Sequence, residues 1–307
     1  MKHLLIGGAG FLGRNLAQEL LDRGDSVAIY DNYSFSSIMD LSHPNLKLML
    51  GDATNETSLT SALMAFRPDT VVWLAYLFAY DPNNVPYIRH SWLMHGLVRT
   101  LPSLATLNTG KFIFVSSDLV YKSKEGKLTE SSALQWGNPT PYIFDKLIAE
   151  TYVSSICKNL KIPWIILRPS IIVGKRNFLH PMADPLTFII HTLLTNQPLM
   201  IKHGQQIRDY ILVTQAIEMI ANLINEKKSH GVFNVSSGRG IRNGELIQNL
   251  VEIIRPSLIP KVLESKEANL LLDNRKIQDF GLVKLTDISH ELQSIVEHRR
   301  ASLEATT

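Results

Sequence analysis

Tyr142 and Lys146 stand four residues apart, a spacing that sets both on one face of a helix. A tyrosine phenol, with a pKa near 10, is a poor acid or base at neutral pH. A neighbouring positive charge favours the phenolate and draws the phenol toward the working range. Ser117 adds a hydroxyl that can donate to the same substrate oxygen, and Lys146 can also hold ribose hydroxyls. Taken alone, a Tyr and a Lys at this spacing are as well read as a solvated helix face. Their place in the chain changes that reading. They follow a glycine turn, an acidic strand end at Asp31 and a strand ending at Ser117.

The glycine turn comes first in the chain. Gly7, Gly10 and Gly13 follow the apolar run Leu4-Leu5-Ile6 and open a helix over 12–23. Glycines there let the chain bend, let main chain approach a pyrophosphate, and let helix and strand pack closely. The amides of the first helical turn then face phosphate charge. Asp31, closing the next strand, can accept from both ribose hydroxyls and would repel a 2′-phosphate, which favours NAD(H) over NADP(H).

The elements that must position these groups alternate. Strands are expected at 4–6, 27–30, 47–50, 70–75, 112–116 and 164–168, with helices at 12–23, 57–66, 87–101 and 142–159. Strict alternation predicts an α/β, Rossmann-type, doubly wound parallel sheet, its strands apolar throughout because both faces are covered. Residues 1–172 read as the dinucleotide-binding domain, with a stretch near 203–240 crossing back. Residues 173–307 read mainly as a smaller C-terminal substrate-binding portion. There a helix is expected at 186–195, a short strand near 199–201, a helix near 214–226, a strand at 232–235, and helices from Asn243 and Asp287. Ligands of such a sheet lie beyond the carboxyl ends of its strands.

Bulk properties narrow the function classes. The net charge of +3 offers no nucleic-acid stripe. No stretch approaches the roughly 18 apolar residues of a spanning helix, so no membrane partner is expected. One cysteine, Cys157, excludes an internal disulfide framework and fits a reducing cytoplasm. It reads as core filler, and no metal site is expected. Arg299-Arg300 reads as a favourable charge pair at a helix C-terminus.

The chain resembles the extended short-chain dehydrogenase/reductases, in the group of NAD-dependent nucleotide-sugar epimerases and dehydratases. The matching pieces are Gly7-Gly8-Ala9-Gly10-Phe11-Leu12-Gly13, Asp31-Asn32, Gly51-Asp52, 116–121 (Ser-Ser-Asp-Leu-Val-Tyr), Tyr142…Lys146, Leu167-Arg168-Pro169, Arg208-Asp209-Tyr210-Ile211 and 231–235 (Gly-Val-Phe-Asn-Val). The resemblance implies catalysis by Ser117, Tyr142 and Lys146. It implies NAD contacts from Gly7, Gly10, Phe11, Leu12, Gly13, Asp31, Asn32, Asp52 (at the adenine), Ala53, Leu74, Ala75 and Lys146. Arg208 would hold the diphosphate of a sugar nucleotide, as a planar guanidinium fork suits phosphate. The bland alternative for Arg208 is an ion pair with Asp209 or a surface role. Asp118 is a further substrate-side candidate. A homodimer pairing through the helices at 87–101 and 142–159 is implied, with Leu97, Ile148 and Tyr152 either contacts of that interface or ordinary core positions.

Departures from the family pattern cluster at the substrate. The fourth strand runs Trp73-Leu74-Ala75-Tyr76 instead of His-Leu-Ala-Ala. Leu93 and Ile171 replace two asparagines, the second a usual sugar-nucleotide contact. Gly174 is followed by Lys175 and Arg176, which become candidates for phosphate contact. Dehydratases of the family carry an Asp-Glu pair where this chain has Asp118-Leu119, which disfavours 4,6-dehydration. Three functions stay open: an NAD-dependent epimerase of a nucleotide-diphosphate sugar, C4 favoured; an NAD(P)H-dependent reductase of a nucleotide-linked 4-keto-6-deoxysugar; and a non-catalytic dinucleotide sensor.

Overall fold

A computed structural model describes residues 1–34, 42–76, 87–123, 126–175, 185–202, 204–263 and 269–304. Its centre is a seven-stranded sheet built from β1 (Lys2–Ile6), β2 (Ser26–Asp31), β3 (Leu46–Leu50), β4 (Thr70–Trp73), β5 (Lys111–Val115), β6 (Trp164–Pro169) and β10 (Gly231–Val235). The spatial order is β10-β6-β5-β4-β1-β2-β3, and every pairing is parallel. The order reverses between β1 and β4, so their carboxyl ends open a crevice. Strand β10, far along the chain, returns to pair with β6, Phe233 opposite Leu167.

Helices cover both faces. On one side α1 (Phe11–Asp22) and α6 (Val213–Asn225) bury Leu16, Leu20, Ile217 and Ile220 against Leu5, Ile29 and Ile165. On the other, α2 (Glu56–Phe66), α3 (Tyr87–Thr106) and α4 (Pro141–Asn159) bury Leu59, Leu63, Leu97, Leu101 and Val153 against Leu4, Ile6 and Phe112. The inner strands are mainly apolar, though not throughout as the alternation predicts: His3 of β1, Lys111 of β5 and Arg168 of β6 are buried within them. On the edge strand β3, Leu48 is 41% and Leu50 78% exposed. It has one neighbour, β2, and its Lys47 is exposed.

Beyond the main sheet, β7 (Ile171–Val173) pairs in parallel with β9 (Ile207–Leu212), and β11 (Gly240–Arg242) pairs antiparallel with β9. β8 (Met200–Lys202) pairs with β12 (Lys261–Leu263). A third core packs α5 (Pro185–Leu194), α7 (Asn243–Ile254) and α9 (Leu292–Glu304) around Leu193, Leu250 and Val296. The segment expected to start a helix at Asp287 instead forms a 3-10 turn at Ile288–His290, capped by the Asp287 carboxylate, before α9 begins. Arg299 is not a helix-end charge. It lies inside α9, 5% exposed, with Nη2 3.0 Å from His191 Nδ1 of α5. Leu97, open above between a dimer contact and a core position, is a core residue at 1% exposure. Cys157 is buried, and burial pushes its thiol up to about 12, as suits a packing role.

Candidate active site

The glycine turn is built as its sequence requires. Gly7 leaves β1 with φ +75°, and a Cβ there would lie 2.5 Å from the Ala75 backbone. A Cβ on Gly13 would lie 2.5 Å from the Gly8 carbonyl oxygen, so only glycine lets α1 pack onto the turn. At Gly10 the nearest atom to such a carbon is 3.7 Å away, and that residue caps α1 without a side-chain hydrogen bond. Phe11 and Leu12 follow in the first turn, where backbone amides point out of the helix.

Asp31 ties this turn to the end of β2. Its carboxylate accepts from the Ala9 amide at 3.0 Å and the Tyr33 amide at 2.8 Å. A carboxylate offers about four acceptor positions, so two ribose hydroxyls can still be served. Asn32 Nδ2 donates to Asp52 Oδ2 at 3.2 Å, and Asp52 Oδ1 accepts from the Thr54 amide and hydroxyl. Asp52 is exposed at the end of β3. Ala53 follows; its carbonyl oxygen would be 2.1 Å from a Cβ on Gly96, so that glycine is what lets α3 approach. Leu74 and Ala75 both donate backbone hydrogen bonds to the Ile6 carbonyl. These groups line one crevice edge, and together they fit a dinucleotide with unsubstituted ribose hydroxyls.

Tyr142 and Lys146 lie on the first turns of α4, which starts at a Thr140 cap and Pro141. Lys146 is 5% exposed and donates from Nζ to the Val115 carbonyl at 2.8 Å, at the mouth of β5. Burial pulls its ammonium down to about 8, against the opposing carboxylates of Glu150 and Asp145. Tyr142 is pushed up to about 12 by burial, and a hydrogen bond with Ser117 works the other way. Ser117 follows β5 by two residues and is itself buried. The three expected catalytic side chains therefore converge at one carboxyl edge, next to the glycine turn.

Two neighbours were not foreseen. The Tyr76 ring meets Tyr142 edge-on, centroids 4.9 Å apart at 86°, and covers Lys146 Nζ at 4.8 Å. Asp145 lies behind them and accepts from the Tyr76 hydroxyl at 3.4 Å. A small pocket opens here, walled by Trp73, Tyr76, Phe114, Asp145 and Lys146. Tyr76 was visible in the sequence only as a departure at a strand end.

On the substrate side, Arg208 Nη2 donates to Asp118 Oδ2 at 2.9 Å, not to Asp209. Its buried Nε has no hydrogen-bond partner among the described residues. Asp209 faces the other way. It is fully buried and gathers the Ser170 hydroxyl, the Ser237 amide and hydroxyl, and the Gly238 amide. Lys175 is exposed after β7, and Arg176 lies outside the described residues. Other motif residues build the frame. Arg168 forks onto Glu150 at 3.0 and 2.6 Å and stacks over Tyr121, whose hydroxyl donates to Asn234 at 2.6 Å.

Comparison with known proteins agrees with this geometry. Residues 3–236 match the family described as NAD dependent epimerase/dehydratase. An uncharacterized UDP-glucose epimerase of Bacillus subtilis is 29% identical over 247 residues, 74% of this chain and 73% of that protein. The human dTDP-D-glucose 4,6-dehydratase is 24% identical over 276 residues, 82% of this chain and 73% of that protein. The crystal structure of a Thermotoga maritima UDP-glucose 4-epimerase with UDP-glucose superposes with a TM-score of 0.87 at 23% identity, covering 99% of this chain and 100% of that one. With glycine turn, acidic strand end and Tyr–Lys helix all inside the matched span, the chain belongs to the NAD dependent epimerase/dehydratase family.

Proposed function

We propose that this chain inverts one carbinol centre, C4 favoured, of a nucleotide-diphosphate sugar and uses NAD to do so. The observation that carries the reading is the convergence of Ser117, Tyr142 and Lys146 at the crevice edge beside the glycine turn. NAD, when bound along Gly7, Gly10 and Gly13, supplies reversible hydride acceptance with no net redox change. Asp31 orients its ribose, with Asn32, Asp52, Ala53, Leu74 and Ala75 shaping the adenosine and nicotinamide walls. Tyr142 takes the proton of the sugar hydroxyl and later returns it. Ser117 donates to the same oxygen, and the Lys146 ammonium lowers the cost of the phenolate. Arg208 exchanges Asp118 for the diphosphate, with Lys175 and Arg176 assisting at the rim.

Elimination of water is disfavoured. Leu119 occupies the place of a second carboxylate and packs into the apolar cluster around Val120 and Leu147. Residues 1–172 serve the cofactor, and 173–307 mainly close over the sugar. A homodimer through α4 fits its outward stripe: Phe144 is 48% and Tyr152 46% exposed, with Ile148 between them. Among the described residues no helix is long and apolar enough to cross a membrane. The buried lone thiol is in keeping with a cytoplasmic setting.

The test is to release and identify the co-purified cofactor, then incubate the protein with NAD and a panel of nucleotide sugars. Products are followed by NMR and the reduced cofactor by absorbance. An epimer formed without net NADH supports the proposal. Stoichiometric NADH consumption with a keto-sugar replaces it with the reductase. Bound cofactor with no conversion leaves a dinucleotide sensor.

A further inference from the structure

The ammonium of Lys146 is enclosed by more than its carbonyl partner. Three aromatic rings surround it: Tyr76 at 4.8 Å, Phe114 at 5.1 Å and Tyr142 at 5.8 Å from Nζ to centroid. Each distance lies within the range at which a ring face attracts a cation. Phe114 belongs to β5 and Tyr142 to α4, so both are fixed by the frame. Tyr76 alone comes from the segment after β4, and it touches both members of the proton-transfer pair. Its ring stands nearly perpendicular to that of Tyr142, the favoured edge-to-face arrangement. Its hydroxyl reaches Asp145, one residue before Lys146 in the chain, through a long 3.4 Å hydrogen bond. The same ring forms a wall of the small pocket beside Lys146.

We propose that Tyr76 is a positioning residue: its ring holds Tyr142 edge-on and lids Lys146, keeping the phenol and the ammonium in their working arrangement. The proposal rests on the reading of that pair as the proton-transfer site. It adds a residue from another element to the site, one that a tyrosine and a lysine at helical spacing do not require. The ring does most of the holding, and the hydroxyl tether to Asp145 refines its angle. A leucine at 76 removes the ring and opens the pocket to water. A phenylalanine keeps the ring and loses only the tether.

Competitive acetylation of the purified full-length protein, with each lysine followed by mass spectrometry, reads the lid directly and needs no substrate. Lys111 is the internal reference. It is 6% exposed against 5% for Lys146, but lies at the opposite end of β5, bonded to the last carbonyls of α6. Tyr76→Leu should raise Lys146 labelling about tenfold or more, with Lys111 unchanged. Tyr76→Phe should stay within about threefold of the wild type. With UDP-glucose as substrate, Tyr76→Leu should lose about tenfold or more in kcat with KM within about twofold, and Tyr76→Phe should restore it. Equal Lys146 labelling in the wild type and Tyr76→Leu overturns the proposal. So does a parallel rise at Lys111, which marks general loosening, or a wild-type kcat in Tyr76→Leu. If the wild type itself does not convert UDP-glucose, that failure belongs to the functional reading, and the labelling still decides the role of Tyr76.

Discussion

A phenol pushed up to about 12 and an ammonium pulled down to about 8 sit side by side, and burial is the main cause of both shifts. Burial penalises whichever form is charged, so the phenolate and the ammonium each cost more here than in water. Formed together, they offset part of that cost for one another. Under the proposed mechanism, proton transfer by Tyr142 therefore depends on Lys146 staying protonated. The sign follows. With its pKa lowered, Lys146 is charged below about 8 and loses its proton as pH rises through that value. Proton transfer should weaken in the same range. A pH profile of kcat/KM, which reports the free enzyme's groups, should show a one-proton decline centred near 8. A profile that stays flat through that range would separate Lys146 from the chemistry.

The elements hold these residues by burying polar groups in pairs. Arg168 of β6 and Glu150 of α4 form a two-point ion pair with side chains only 4% and 7% exposed, which fixes α4 against the sheet. Removing one member of such a pair leaves a buried charge alone, so both must be kept. Asp209 does similar work for β9, joining it to Ser170 after β6 and to the Ser237–Gly238 turn after β10. Burial raises its carboxyl to about 6 in spite of those four donors. The folded protein then keeps a proton that the unfolded chain has already lost. This contribution is full below the unfolded carboxylate range near 4, falls as pH rises, and is gone above about 6. Urea unfolding of the wild type and Asp209→Asn between about pH 4 and 7 measures it. The wild type should lose stability relative to the variant up to about pH 6 and hold level beyond. A difference that does not change with pH would contradict the assignment.

For the whole molecule, what the sequence disclosed was local. The parallel sheet follows from short apolar runs alternating with amphipathic stretches. The glycine turn, Asp31 and the Tyr142–Lys146 pair are recognisable because their partners lie within one turn or one βαβ unit. Contacts made by folding across long separations were not legible. Tyr76 and Asp145 are 69 residues apart, and Asp118 and Arg208 are 90. Nothing in either segment marks the other, so the only ion-pair alternative weighed for Arg208 was its chain neighbour Asp209, and Asp118 went unseen as its partner. Leu48 and Leu50 misled for a related reason. Apolar residues read as buried, but which strand faces are left uncovered is a property of the assembled fold: β10, the other edge strand, keeps Phe233 and Val235 buried, while β3 leaves Leu48 and Leu50 open. Arg168, Tyr121 and Asn234 matched the family pattern, and the fold gives them a supporting task inside the frame.

Turnover by Tyr142→Phe, measured beside the wild type with NAD and the sugar nucleotide that the wild type converts, tests the central claim most directly. The substitution removes one oxygen and leaves the ring against Tyr76. Loss of the proton acceptor should cut kcat by about 10²- to 10⁴-fold while NAD affinity stays nearly unchanged. Wild-type turnover in that variant would take the phenol out of the reaction, and with it the account given for this site.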